Sequence, residues 1–151
     1  METITIQSDI AQLREVEDFI SNVCDEKNIH NYFATISTSV LQAVENAIIH
    51  GNKNNSSKHV TVGCGMGKEG LFVTVRDEGE GFDYQQYGVM PMGEEKGTGI
   101  FMMKCLSDRM TYSENGRCVQ MEYFIEGIDK ATALERTTSL KHFFSETKVG
   151  V

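Results

Sequence analysis

The sequence predicts an α+β fold, a two-layer α/β sandwich with helices on one face of a mostly antiparallel mixed sheet. Three observations carry that expectation. Short segments alternate apolar and polar residues with the period of a strand. Three others repeat apolar residues at helical spacing. Their order along the chain (strand, helix, helix, two strands, loop, helix, two strands) lets the helices bury their stripes together against one sheet face. With 151 residues, 40% of them hydrophobic, the chain is long enough for one domain with its own core.

Glu2 to Gln7 reads as the first strand, with Ile4 and Ile6 on one side and Thr3 and Thr5 on the other. Asp9 is placed as an N-cap, and Gln12 three residues later completes a capping-box pattern. Ile10, Leu13, Val16, Ile20 and Val23 then follow at helical spacing to about Lys27. A second helix is expected from about Phe33 to His50, with Ile36, Val40, Val44, Ala47 and Ile48 on one stripe and Gly51 as the C′ residue. His59 to Met66 and Leu71 to Asp77 read as two strands joined by a glycine-containing turn. An irregular stretch from Glu78 to about Gly97 precedes a helix expected at Gly99 to Ser107, with Ile100, Met103 and Leu106 inward. Met110 to Ser113 and Cys118 to Ile125 form a last hairpin, its turn marked by Asn115-Gly116. Residues 1–126 are thus expected to make the domain, and 127–151 a C-terminal extension, helical or mobile.

Composition narrows the function classes. Lys and Arg total 14 against 22 Asp and Glu, a net charge of −8. That lacks the basic field of a nucleic-acid binder, so no direct nucleic-acid partner is expected. No apolar run approaches the roughly 20 residues that cross a bilayer, and the first 20 residues lack a signal-peptide core. A cytoplasmic protein with no membrane contact is the expectation. Cys24, Cys64, Cys105 and Cys118 form no CxxC pair and the four histidines no cluster, which points to reduced thiols rather than a zinc site.

Glycine placement points to the chemistry. Ten of the 14 glycines lie between Gly63 and Gly99. Glycine weakens a regular element by roughly 0.5–1 kcal/mol against alanine, so this density indicates special backbone angles or close approaches. Asp77-Glu78-Gly79-Glu80-Gly81-Phe82 comes directly off a strand, and Gly97-Thr98-Gly99-Ile100 opens a helix, whose free N–H groups suit a phosphate. Asn46 stands inside the second helix, where asparagine is a mediocre former, and Gln42 shares its face at i−4.

Taken together, the helix Asn, the strand-ending DxGxGF and the helix-opening GxGI resemble the N, G1 and G2 boxes of the GHKL (Bergerat-fold) ATPases. The phrasing of Glu45-Asn46-Ala47-Ile48-Ile49-His50-Gly51, Val75 to Phe82 and Lys96 to Lys104 is most similar to the anti-sigma-factor serine/threonine kinases of that superfamily. The resemblance covers about residues 1–126. It implies ATP and Mg²⁺ as cofactors, with Asn46 as the metal ligand, a neutral oxygen suited to that hard ion. It implies that Asp77 accepts a hydrogen bond from the adenine amino group, and that Gly79 and Gly81 let the backbone approach the base. It also implies that Gly97, Thr98, Gly99 and Ile100 form the phosphate cradle, with Lys96 a candidate to reach a phosphate and about 83–96 as the ATP lid. At the catalytic position the family usually carries Glu; here it is Gln42, a neutral amide that orients a hydroxyl but accepts no proton at neutral pH.

The function so implied is that of an ATP-binding anti-sigma factor. Such a protein phosphorylates a STAS-domain anti-anti-sigma protein, sequesters a sigma factor and commonly forms a homodimer. Gln42 leaves a second reading open, a nucleotide-dependent binding module without phosphotransfer.

Overall fold

The computed structural model describes residues 1–86 and 95–125, without the side chains of residues 86 and 95–97. The extension expected at 127–151 and most of the expected lid lie outside the described residues.

Five strands form one sheet: β1 (Glu2–Gln7), β2 (His59–Met66), β3 (Gly70–Arg76), β4 (Arg109–Ser113) and β5 (Cys118–Phe124). Their order is β1-β2-β3-β5-β4. All four described pairings are antiparallel, so the expected mixed character is absent from the described sheet. Register puts the apolar alternation in phase across every strand. Ile4, Val62, Val75, Val119 and Tyr112 line up in one row, and Cys64, Val73, Met121 and Met110 in the next. The reverse face carries the polar row Thr3, Gly63, Thr74, Gln120 and Thr111.

Among the described residues three α-helices accompany the sheet: α1 (Leu13–Glu26), α2 (Phe33–Asn46) and α3 (Glu95–Leu106). α2 is central, packed between α1 and α3 and against β3. Its predicted stripe is buried throughout, from Ile36 through Val40 and Val44 to Ala47 and Ile48. Val16, Ile20 and Val23 of α1 are buried likewise, whereas Ile10 is 43% exposed because a 3₁₀ turn (Ile10–Gln12) turns it outward before α1 begins. Asp9 caps that turn through the Ala11 N–H at 2.9 Å, and Gln12 accepts from the Gln7 N–H, not from Asp9 as a capping box requires.

Two helix boundaries also differ from expectation. α2 does not run on to His50 but changes at Ala47 into a π-helical turn (Ala47–Gly51), closed by Asn52 N–H donating to the Ala47 carbonyl at 2.8 Å. Gly51 is therefore the end of that turn and not a left-handed C′ residue; the left-handed positions are Lys53 and Asn54, with φ of 53° and 59°. α3 starts at Glu95, four residues early, so Gly97 and Gly99 lie within it. The last hairpin closes at the expected Asn115-Gly116, where Glu114, Asn115 and Gly116 all have positive φ.

Burying α2 requires its polar groups to find partners inside. Ser39 is fully buried and hydrogen-bonds the Tyr123 hydroxyl of β5. The arrangement that satisfies both has Tyr123 donating to Ser39 Oγ and Ser39 donating to the Thr35 carbonyl at 2.9 Å. Cys24, Cys64 and Cys118 are buried and Cys105 exposed, all as free thiols. Burial pushes the Cys24 thiol up to about 11 and Cys64 up to about 12, so both pack as small neutral apolar groups.

Removing one partner of a buried pair costs more than removing both. Ser39→Ala should therefore lower unfolding free energy by about 1–3 kcal/mol, and Ser39→Ala with Tyr123→Phe by less than the single change, measured by urea denaturation.

Candidate functional site

Three chain segments converge beside α2. The polar edge of α2 supplies Gln42 and Asn46, the end of β3 supplies Asp77, and α3 supplies Gly99, Ile100 and Met103. Asn46, Asp77 and Ile100 line one cleft with Ala43, Val75 and Tyr112. The space between its walls, part of it open to solvent, is about 360 Å³. The walls are mainly apolar, and a polar group that a ligand satisfies there gains from the low local dielectric.

Asp77 owes its place to an absent side chain. A Cβ on Gly51 would lie 2.5 Å from Asp77 Oδ2, so the carboxylate occupies the space beside the bare Gly51 backbone. Asp77 Oδ1 also accepts the Gly79 N–H at 2.8 Å, closing a local turn. A Cβ on Gly79 would fall 2.1 Å from the Gly51 carbonyl oxygen, so the end of the π-helical turn and the loop after β3 touch through two glycines. Gly81 has φ +85° and abuts the Asn115 carbonyl, while Phe82 N–H donates to that same oxygen at 2.9 Å. The neighbours that require glycine at 79 and 81 are thus parts of the protein itself.

On the other side of the cleft, α3 approaches α2 through Gly99. A Cβ there would lie 2.9 Å from Gln42 Oε1 and 3.1 Å from Asn46 Nδ2. The Gln42 and Asn46 amides thus occupy the space a side chain at position 99 would need, and Asn46 Nδ2 further points to Met103 Sδ at 3.7 Å. Ile100 is buried and Thr98 exposed. Gly97 is in the first turn of α3, among the N–H groups that a helix leaves free. The Lys96 side chain lies outside the described residues.

Sequence reasoning overlooked the aromatic wall and the glycine beneath the carboxylate. Phe82 and Tyr112 both line the cleft and meet edge to face at 5.3 Å, and Tyr84 stacks on Tyr112 at 5.0 Å. Burial, and secondarily the Asp77 charge, raise the Tyr112 hydroxyl far above its ordinary value, so it stays a neutral donor beside a carboxylate. Tyr112 alternates with Met110 as an inward strand residue, which hid it; the clue was its register opposite Val119, in the same row as Val75. Among the described residues no group of three or more His, Cys, Asp and Glu could hold a metal.

Comparison with known proteins gives this arrangement a context. The family model for the histidine kinase-like ATPase domain matches residues 6–123. An anti-sigma F factor of Clostridium perfringens is 33% identical over 89 residues, which are 54% of this chain and 64% of that protein. The match thus spans less than two thirds of that relative's length. An anti-sigma F factor of Bacillus licheniformis is 26% identical over 137 residues, covering 87% of this chain and 85% of its own. Serine-protein kinase RsbW of Bacillus subtilis is 24% identical over 119 residues, covering 72% of each. No helix among the described residues is long and apolar enough to cross a membrane.

The Gly51 contact makes a direct test of the site's packing. Gly51→Ala should cost about 1–3 kcal/mol of stability as the Asp77 carboxylate is displaced. Gly67→Ala, whose Cβ would meet only ordinary contacts from 3.7 Å outward, should change the urea midpoint little.

Proposed function

This chain belongs to the histidine kinase-like ATPase family, and from that premise we propose that it is an anti-sigma regulatory factor that binds Mg-ATP in the cleft of Asn46 and Asp77. We further propose that it transfers the γ-phosphoryl group to a serine or threonine of a STAS-type anti-anti-sigma protein, and that it holds a sigma factor while that antagonist is phosphorylated. The observation that carries the reading is the convergence of Asn46, Asp77 and the Gly99 segment on one side of α2. The names of the relatives, anti-sigma F factor and serine-protein kinase RsbW, support the same conclusion. A homodimer in the cytoplasm completes the proposal.

The residues present fit these ligands. Asp77 is an acceptor within a mainly apolar cleft, and its carboxylate would accept a hydrogen bond from the adenine amino group. Phe82 and Tyr112 supply aromatic surface to pack against that base. Asn46 offers a neutral oxygen at the edge facing α3, and would hold Mg²⁺ as one ligand among phosphate oxygens and water. That ion, when bound, would neutralise charge on the phosphates. Gly97 would present a first-turn N–H group to a phosphate, with the Thr98 side chain and Lys96 as further contacts.

Transfer forms a bond between the acceptor hydroxyl oxygen and the γ-phosphorus, breaks the bond to the β–γ bridging oxygen and releases the hydroxyl proton. Positioning carries most of the acceleration in a loose phosphoryl transition state. Gln42 would contribute by orienting the hydroxyl, with the proton passing to solvent and not to this side chain. A general base is worth about 10²–10⁴-fold, so slow transfer is expected and a carboxylate at position 42 should raise it. Gln42 also favours the second reading, a nucleotide-dependent binding module that sequesters its partner without transferring phosphate.

Intact-mass measurement of the STAS partner after incubation with the protein and Mg-ATP tests the proposal. The partner should gain one phosphoryl group, the gain should vanish with Asn46→Ala, and Gln42→Glu should accelerate it. ATP binding without mass gain would establish the binding module instead. Absence of ATP binding, or its persistence unchanged in Asp77→Asn, would refute the assignment of the cleft.

A further inference from the structure

Asn52 is a buried side chain, 1% exposed, whose amide joins four parts of the fold. Its Nδ2 donates to Ser8 Oγ at 2.8 Å and to the His59 carbonyl at 3.0 Å, while its Oδ1 accepts the Glu78 N–H at 2.8 Å. Ser8 Oγ in turn donates to the Lys58 carbonyl at 2.8 Å. The amide thus stands on the end of β1 and the start of β2, at the exit from the π-helical turn, and reaches the loop after β3. No other uncharged side chain of this size offers two donors and an acceptor from one short stem.

The backbone of Asp77 is gripped from both sides. Its own N–H donates to the Arg117 carbonyl at 2.9 Å, and the next N–H, that of Glu78, is the one taken by Asn52. The third, on Gly79, closes on Asp77 Oδ1. Since the Glu78 N–H belongs to the peptide that begins at the Asp77 carbonyl carbon, fixing its direction restricts ψ of Asp77. Arg117 alone leaves that rotation open. The acceptor that stops it is immobile because Ser8 and His59 hold the amide from behind.

We propose that Asn52 is a positioning residue for Asp77: by accepting the Glu78 N–H it sets where the carboxylate stands, and thereby how well the site selects a nucleotide base that carries an amino group. This rests on the reading of Asp77 as the base acceptor. It assigns the selectivity to a residue with no place in the cleft lining. Rotation about ψ leaves the Asp77 Cβ where β3 puts it but swings the downstream Gly79 N–H that holds Oδ1, so without Asn52 that donor is no longer fixed and the carboxylate turns about its own side-chain bonds to directions in which it no longer faces the amino group.

The test compares the affinity of the full chain for ATP with that for purine riboside triphosphate, which lacks only the 6-amino group. A charged acceptor's hydrogen bond corresponds to a preference for ATP of about tenfold to a hundredfold in the native protein. Asp77→Asn and Asn52→Ala should both bring the preference to within about twofold. Ser39→Ala, which destabilises the fold away from this junction, should lower the urea midpoint and keep the preference. Asn52→Ser serves as the second variant should Asn52→Ala fail to fold. If both nucleotides weaken in proportion in the Asn52 variants while Asp77→Asn abolishes the preference, Asn52 is structural only and the inference falls. A native protein with no preference at all overturns the reading of Asp77 and the inference with it.

Discussion

The constraint on which the structure depends is the enclosure of α2. A helix packed between two others and over a sheet must be apolar on most of its circumference, yet this one also presents Gln42 and Asn46 along one edge. The sequence meets both demands by position. Ile36, Val40 and Val44 face the core, and Ser39 satisfies its hydroxyl within it through Tyr123 and the helix's own backbone. The amides sit at the one boundary, towards α3, where a glycine leaves them room. Because a core-packed helix cannot rotate without moving the whole stripe, the direction of Asn46 is fixed by residues that never approach a ligand.

The cleft inherits that rigidity unequally. Its Asp77 side is tied by a backbone hydrogen bond to the β4–β5 turn and, through the Asn52 side chain, to the exit of the π-helical turn and the end of β1. Its α3 side is joined to α2 by the Gly99 contact and by the buried Ile100 and Met103. On the proposed reading, the half that would recognise the base is held by hydrogen bonds and the half that would face the phosphates by side-chain packing. Directional bonds set a single acceptor accurately, whereas packed helices can slide by small amounts.

Most of the fold was legible because it rests on periodicity. The five strand rows and the stripes of α1 and α2 are direct consequences of patterns with periods of 2 and 3.6. The family resemblance located Asn46, Asp77 and Gly99, and the structure brings these onto one side of α2. What escaped is governed by tertiary contact. Nothing local announces a π-helical turn at Ala47, since its extra residue is defined by which carbonyl Asn52 N–H reaches. Glycine's low propensity argued against a helix through Gly97 and Gly99, but the close approach to Gln42 and Asn46 outweighs a cost of about 1 kcal/mol per residue. Asn52 reads as an ordinary turn residue, and only its partners at Ser8, His59 and Glu78 separate it from one. Tyr112 looked like any inward strand residue until the fold placed it in the same cleft as Asp77.

The seat of Asp77 on Gly51 also has an evolutionary consequence. The two positions are complementary in size: one gives up its side chain so that the other can be accommodated. A change at either alone is penalised, by collision in one direction and by an empty space next to a backbone in the other. They are therefore bound to vary as a pair. Among descendants of this chain, a carboxylate at the first position should coincide with glycine at the second, and relatives that have abandoned the acid are the ones free to acquire alanine or serine in its place. Such a substitution pattern would record the loss of base recognition in lineages where the rest of the fold remains intact.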